Sequence, residues 1–60
     1  MTKFIKLHGL DLEPFLLNVK DIEYVECSKG GNTAIFGKGD EEKAYLCVET
    51  IDEVLALINA

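Results

Sequence analysis

From Lys3 to His8 the chain alternates, with Ile5 and Leu7 on one side and Phe4, Lys6 and His8 on the other, which is the period-two pattern of a strand. Gly9 and Asp11 supply a turn, and Phe15-Leu16-Leu17 resumes an extended apolar run behind Pro14. Proline has no N–H to give to a ladder, so it belongs at a strand start or edge. Asn18-Val19-Lys20-Asp21 predicts a second turn, or one helical turn capped by Asn18. Ile22 to Cys27 is rich in Ile, Tyr and Val and predicts a third strand, closed by the glycine-containing loop Ser28-Lys29-Gly30-Gly31-Asn32. Thr33 to Phe36 is the fourth strand and Gly37-Lys38-Gly39-Asp40-Glu41 the next hairpin loop. Lys43 to Glu49 alternates again, with Ala44, Leu46 and Val48 opposite Tyr45 and Cys47.

The last stretch changes period. Thr50 and Glu53 have the spacing of a capping box, and Asp52 and Glu53 place negative charge at the positive end of the helix dipole. Ile51, Val54, Leu55 and Ile58 then form one apolar stripe that must be covered. The order β-β-β-β-β-α with short connections predicts an α+β fold: an antiparallel five-stranded β-meander with one C-terminal helix packed on one face, in a single domain over 1–60. One helix of about ten residues spans about 15 Å and covers one face only. Several strands nevertheless carry apolar residues on both sides, so an apolar face is left open. Phe4, Phe15, Tyr24 and Tyr45 are the candidates for self-association through it.

Length and charge narrow the partners. A 60-residue domain buries only about 60% of the surface of its unfolded chain, so support from a second surface is expected. The net charge is -5, the six basic residues are scattered lysines and there is no arginine, all of which argues against nucleic acid and anionic lipid. No apolar run approaches the length of a membrane span, and no secretory leader is read. The expected location is cytoplasmic.

Candidate chemistry is sparse. In a meander Cys27 and Cys47 sit on strands three and five, about 9 Å or more apart, too far for a disulfide, and the expectation is two buried, inert thiols. His8 is the sole histidine and is expected at a surface or an interface. Asp40, Glu41 and Glu42 lack the spaced ligands of a calcium loop, and neither Gly30-Gly31 nor Gly37-Lys38-Gly39 has the spacing of a phosphate cradle. No catalytic, cofactor-binding or metal-binding residue is therefore assigned, and the chain is expected not to be an enzyme.

Ile5-Lys6-Leu7-His8-Gly9-Leu10-Asp11, Phe15-Leu16-Leu17-Asn18, Asp21-Ile22-Glu23 and Val48-Glu49-Thr50 with Glu53-Val54 resemble the small FlbD-type proteins linked to flagella and swarming motility. The resemblance spans almost the whole chain and implies a bacterial accessory or regulatory role. Where that family has Asn-Gly in its first hairpin this chain has Asp11-Leu12, and a different turn is expected because leucine resists positive φ. Asp21-Ile22-Glu23-Tyr24-Val25-Glu26 is also similar to the opening strand of LytTR-type DNA-binding domains, whose later strands have no counterpart here. The expectation is a homo-oligomeric protein-interaction or regulatory module that binds itself and another protein. The alternative is a LytTR-like nucleic-acid-binding regulator.

Overall fold

The computed structural model describes residues 2–60, with all their side chains except those of residues 40–42. The acidic run Asp40-Glu41-Glu42, considered above for cation binding, thus lies outside the described side chains. Five strands and one helix are present: β1 (Phe4–His8), β2 (Pro14–Asn18), β3 (Ile22–Cys27), β4 (Thr33–Gly37), β5 (Asp40–Cys47) and α1 (Ile51–Asn59). Pro14 opens β2, where its missing N–H costs no ladder bond. Asn18 accepts a hydrogen bond from the Lys20 N–H and caps a short 3-10 turn, Val19–Asp21.

The strands do not form one five-stranded meander. They make a two-stranded sheet, β1-β2, and a three-stranded sheet, β3-β4-β5, both antiparallel. The 3-10 turn is where the meander breaks. Val19 donates its N–H back to the Lys3 carbonyl at 2.9 Å, while the Asp21 carbonyl accepts from Lys38 at 2.8 Å. The end of β2 thus stays with β1, and the start of β3 is tied to the β4–β5 turn. The sheets meet again where Val48 donates to the His8 carbonyl at 2.9 Å.

Strand parity decides what is buried. Ile5 pairs with Leu17 and Leu7 with Phe15 on one face of the hairpin; Val25 pairs with Ile35, and Thr33 with both Cys27 and Cys47, on one face of the larger sheet. A bulge between Ile22 and Tyr24 restores Ile22 to the side of Val25. Ile5, Leu7, Leu17, Ile35, Cys47 and Val54 form the buried core, with Phe15, Ile22, Val25, Leu57 and Ile58 packed around it. The hairpin and the helix therefore share the inner face of the three-stranded sheet.

The capping box of α1 is formed as the spacing predicts: Glu53 N–H donates to Thr50 Oγ1 at 3.1 Å and Thr50 N–H to Glu53 Oε1 at 3.0 Å. The other end is held from a distance, by Lys3 Nζ donating to the carbonyls of Ile58 at 2.5 Å and Ala60 at 2.6 Å. An ammonium there also favours the negative end of the dipole. The buried stripe is shifted from the expected one, because Val54, Leu57 and Ile58 turn inward while Ile51 and Leu55 stay exposed.

The β4–β5 turn is tighter than expected, since Gly37 and residues 40–41 lie in strands and Gly39 takes φ 80°. The β1–β2 turn also departs from expectation. Leu12 itself adopts the left-handed conformation, φ 68°, which costs a non-glycine residue about 1–2 kcal/mol.

Candidate interaction surface

The outer face of the β3-β4-β5 sheet is the side away from the core. The same register that turns Val25, Ile35 and Cys47 inward turns Tyr24, Ala34, Phe36, Ala44 and Leu46 outward. At its centre Tyr24 and Phe36, directly opposed across β3 and β4, stack with ring centroids 4.6 Å apart and planes at 12°. Such a cross-strand aromatic pair stiffens the sheet and shields Ala34 beside it, which is buried although it points outward. Tyr24 and Leu46 remain more than 40% exposed, with Glu26 on the β3 rim. No helix or loop among the described residues is packed on this face.

Of the four aromatic residues singled out from the sequence only Phe15 and Tyr45 are brought together. Tyr24 lies on the outer face just described. Tyr45 pairs with Ile35 and so belongs to the inner face, at its margin, where its ring stacks on Phe15 with centroids 6.1 Å apart. Phe4 pairs with Asn18 and is exposed on the far side of the hairpin, with Lys6 and Leu16. Phe36, Ala44 and Leu46 complete the open face instead. The alternation of β5 separates Leu46 from Tyr45, but does not reveal which of them faces the core.

His8 has a partner that sequence spacing did not suggest. Its Nδ1 lies 2.7 Å from Glu49 Oε2, and its backbone N–H donates to Glu49 Oε1 at 2.9 Å. The Glu49 carbonyl accepts from Thr33 Oγ1 at 2.5 Å, so this residue joins β1, β4 and the approach to α1. Burial alone would raise the pKa of the Glu49 carboxyl, but the hydrogen bonds from the His8 ring and backbone outweigh it and hold it below its ordinary range. The pair is a clasp between the sheets.

The two cysteines differ. Both flank Thr33, one strand to either side, as their placement on strands three and five implies, and both are free thiols. Cys47 is fully buried, and burial together with the nearby Glu49 charge pushes its thiol pKa up. Cys27 is exposed, contrary to the expectation that both are buried, because β3 is an edge strand. Among the described residues no three His, Cys, Asp or Glu side chains converge as a metal site.

A concavity of about 600 Å³ opens between the 3-10 turn and β5. Leu17, Ala44 and Tyr45 give it an apolar lining, and Lys38, Lys43 and Asp21 supply its charges. Among the described residues no helix is long and apolar enough to cross a membrane. Comparison with protein-family models, with curated proteins and with solved structures finds no match to this chain.

Proposed function

We propose that this chain is a non-enzymatic protein-interaction module that pairs with a second copy of itself through the outer face of the β3-β4-β5 sheet. The observation that carries this reading is the uncovered apolar surface around the stacked Tyr24 and Phe36. Three strands of five to eight residues, about 4.8 Å apart, present a small patch whose natural complement is another twisted sheet laid about 10 Å away. Among the described side chains at the paired positions of this face only Glu26, on the β3 edge, is charged. A two-fold arrangement matches it to itself and keeps the two Glu26 side chains at the rim.

The patch is smaller than a standard stable interface, so the dimer is a dissociating one. The free thiols fit a reducing compartment, and a cytoplasmic accessory or regulatory role, as the FlbD-type resemblance implies, accords with it. In that role the dimer binds another protein. Leu46→Lys tests the reading: an ammonium on the β5 side of the patch, beside Ala34, abolishes outer-face pairing in sedimentation velocity, while circular dichroism retains the fold. Unchanged pairing in that variant would discard the outer face as the interface.

A further inference from the structure

The hydrogen-bond parity of β1 leaves part of its free edge without a partner. Val19 N–H bonds to the Lys3 carbonyl at one end of the hairpin, and Gly9 N–H to the Glu13 carbonyl at the other. With Ile5 opposite Leu17 and Leu7 opposite Phe15, it is therefore Lys3, Ile5, Leu7 and Gly9 whose backbone groups bond toward β2. Those of Phe4, Lys6 and His8 point the opposite way. His8 fits this parity, because its carbonyl accepts from Val48 and its N–H donates to Glu49 Oε1. The edge-side N–H and C=O groups of Phe4 and Lys6 have no hydrogen-bond partner among the described residues. They stand at the spacing that an added strand requires.

α1 runs beside this edge, antiparallel to β1. Glu49, just before the helix, is held at His8, while the carbonyls of Ile58 and Ala60, at its far end, are held by Lys3. A groove of about 420 Å³ is lined by Lys6 from β1, by Glu53, Ala56 and Leu57 from α1, and by Glu49. Ala56 and Leu57 supply its apolar surface, and its two carboxylates outnumber its one ammonium. A second copy is a poor occupant. Adding its own β1 about a two-fold axis at Lys6 would set Lys6 against Lys6 and bring Phe4 to the His8 groups that Val48 and Glu49 already occupy.

We infer that this groove takes a short extended segment of another protein, basic at alternate positions, which adds to β1 as an antiparallel strand. Residues opposite Phe4 and Lys6 exchange backbone bonds with them and turn their side chains to the outer side of the hairpin. The residues between turn toward α1, where a lysine or arginine lays its stem on Ala56 and Leu57 and its cation beside Glu49 and Glu53. This surface is separate from the outer face of the β3-β4-β5 sheet, and binding here does not depend on pairing there.

The test uses an acetylated, amidated hexapeptide of alternating threonine and lysine, titrated at physiological salt into isotope-labelled protein and followed by the amide spectrum. The Phe4 and Lys6 signals are expected to shift together with those of Ala56 and Leu57 and to gain protection from hydrogen exchange, while Tyr24 and Phe36 stay in place. Methylating the backbone nitrogens of the threonines, which face β1, should abolish binding, whereas methylating those of the lysines, which face solvent, should preserve it. Attraction by charge alone does not distinguish the two. Glu53→Gln keeps the capping-box acceptor and should weaken binding about threefold. An unshifted spectrum at about 1 mM peptide, equal effects of the two methylations, or loss only on methylating the lysines would each overturn the inference. Leu46→Lys should bind the peptide as wild type does, so failure here and failure of the outer-face pairing are read separately.

Discussion

His8 and Glu49, 41 residues apart, bind each other twice, through the imidazole Nδ1 at 2.7 Å and through the His8 backbone N–H at 2.9 Å. A backbone bond from Val48 to the His8 carbonyl runs beside them, so this corner is where the hairpin is fastened to the larger sheet. The hairpin in turn supplies Ile5, Leu7 and Leu17 to the core. Loosening the corner therefore acts on the whole fold, and the imidazole serves as a structural tie.

Glu49→Gln keeps an acceptor for one bond but loses the charge, and is expected to cost about 1–2 kcal/mol at neutral pH. The folded-state pKa of Glu49 is depressed from its ordinary 4.5, so its contribution is present above that value and is lost as pH falls through the lower folded value. Urea unfolding of both proteins from pH 7 to pH 3 should show the gap between them closing below about pH 4.5. A gap that stays constant with pH would remove the carboxylate from the account.

The thiols provide a second check. A maleimide or disulfide reagent should label Cys27 promptly in the native protein and reach Cys47 only on unfolding, because Cys47 is fully buried and its raised pKa suppresses the thiolate. Mass spectrometry should find one modified site before denaturant and two after. Prompt labelling of both would mean that β5 opens readily.

Local chemistry was legible in the sequence and spatial choice was not. Asn18 as a cap, Pro14 at a strand start and the Thr50–Glu53 box each depend on residues within a few positions of one another, and each stands as read. The split into two sheets depends on where the Val19 N–H and the Asp21 carbonyl find partners, at Lys3 and Lys38, which periodicity does not encode. In β5 the alternation separates two faces, but only pairing with Thr33 and Ile35 shows that Cys47 and Tyr45 face inward, and this places Leu46 on the open surface. The expected interface of Phe4, Phe15, Tyr24 and Tyr45 was dispersed for the same reason. Of the four aromatic residues Tyr24 lies on the outward face, where Phe36, which periodicity did not single out, stacks on it.

Helix orientation can be tested with a matched pair of truncations. Val54→Ala removes two buried carbons and should cost about 2 kcal/mol, whereas Leu55→Ala, on the exposed stripe, should change stability by no more than about 0.5 kcal/mol. Thermal or urea midpoints of the two variants decide it. A larger loss at Leu55 would restore the stripe expected from the sequence.

The central claim is that the outer sheet face makes this protein pair with itself, and molar mass is its most direct measure. Multi-angle light scattering across a wide dilution series should show a dimer that dissociates to monomer on dilution. The same protein carrying Leu46→Lys should remain monomeric throughout. A monomeric mass for the wild-type protein at every concentration would contradict the account.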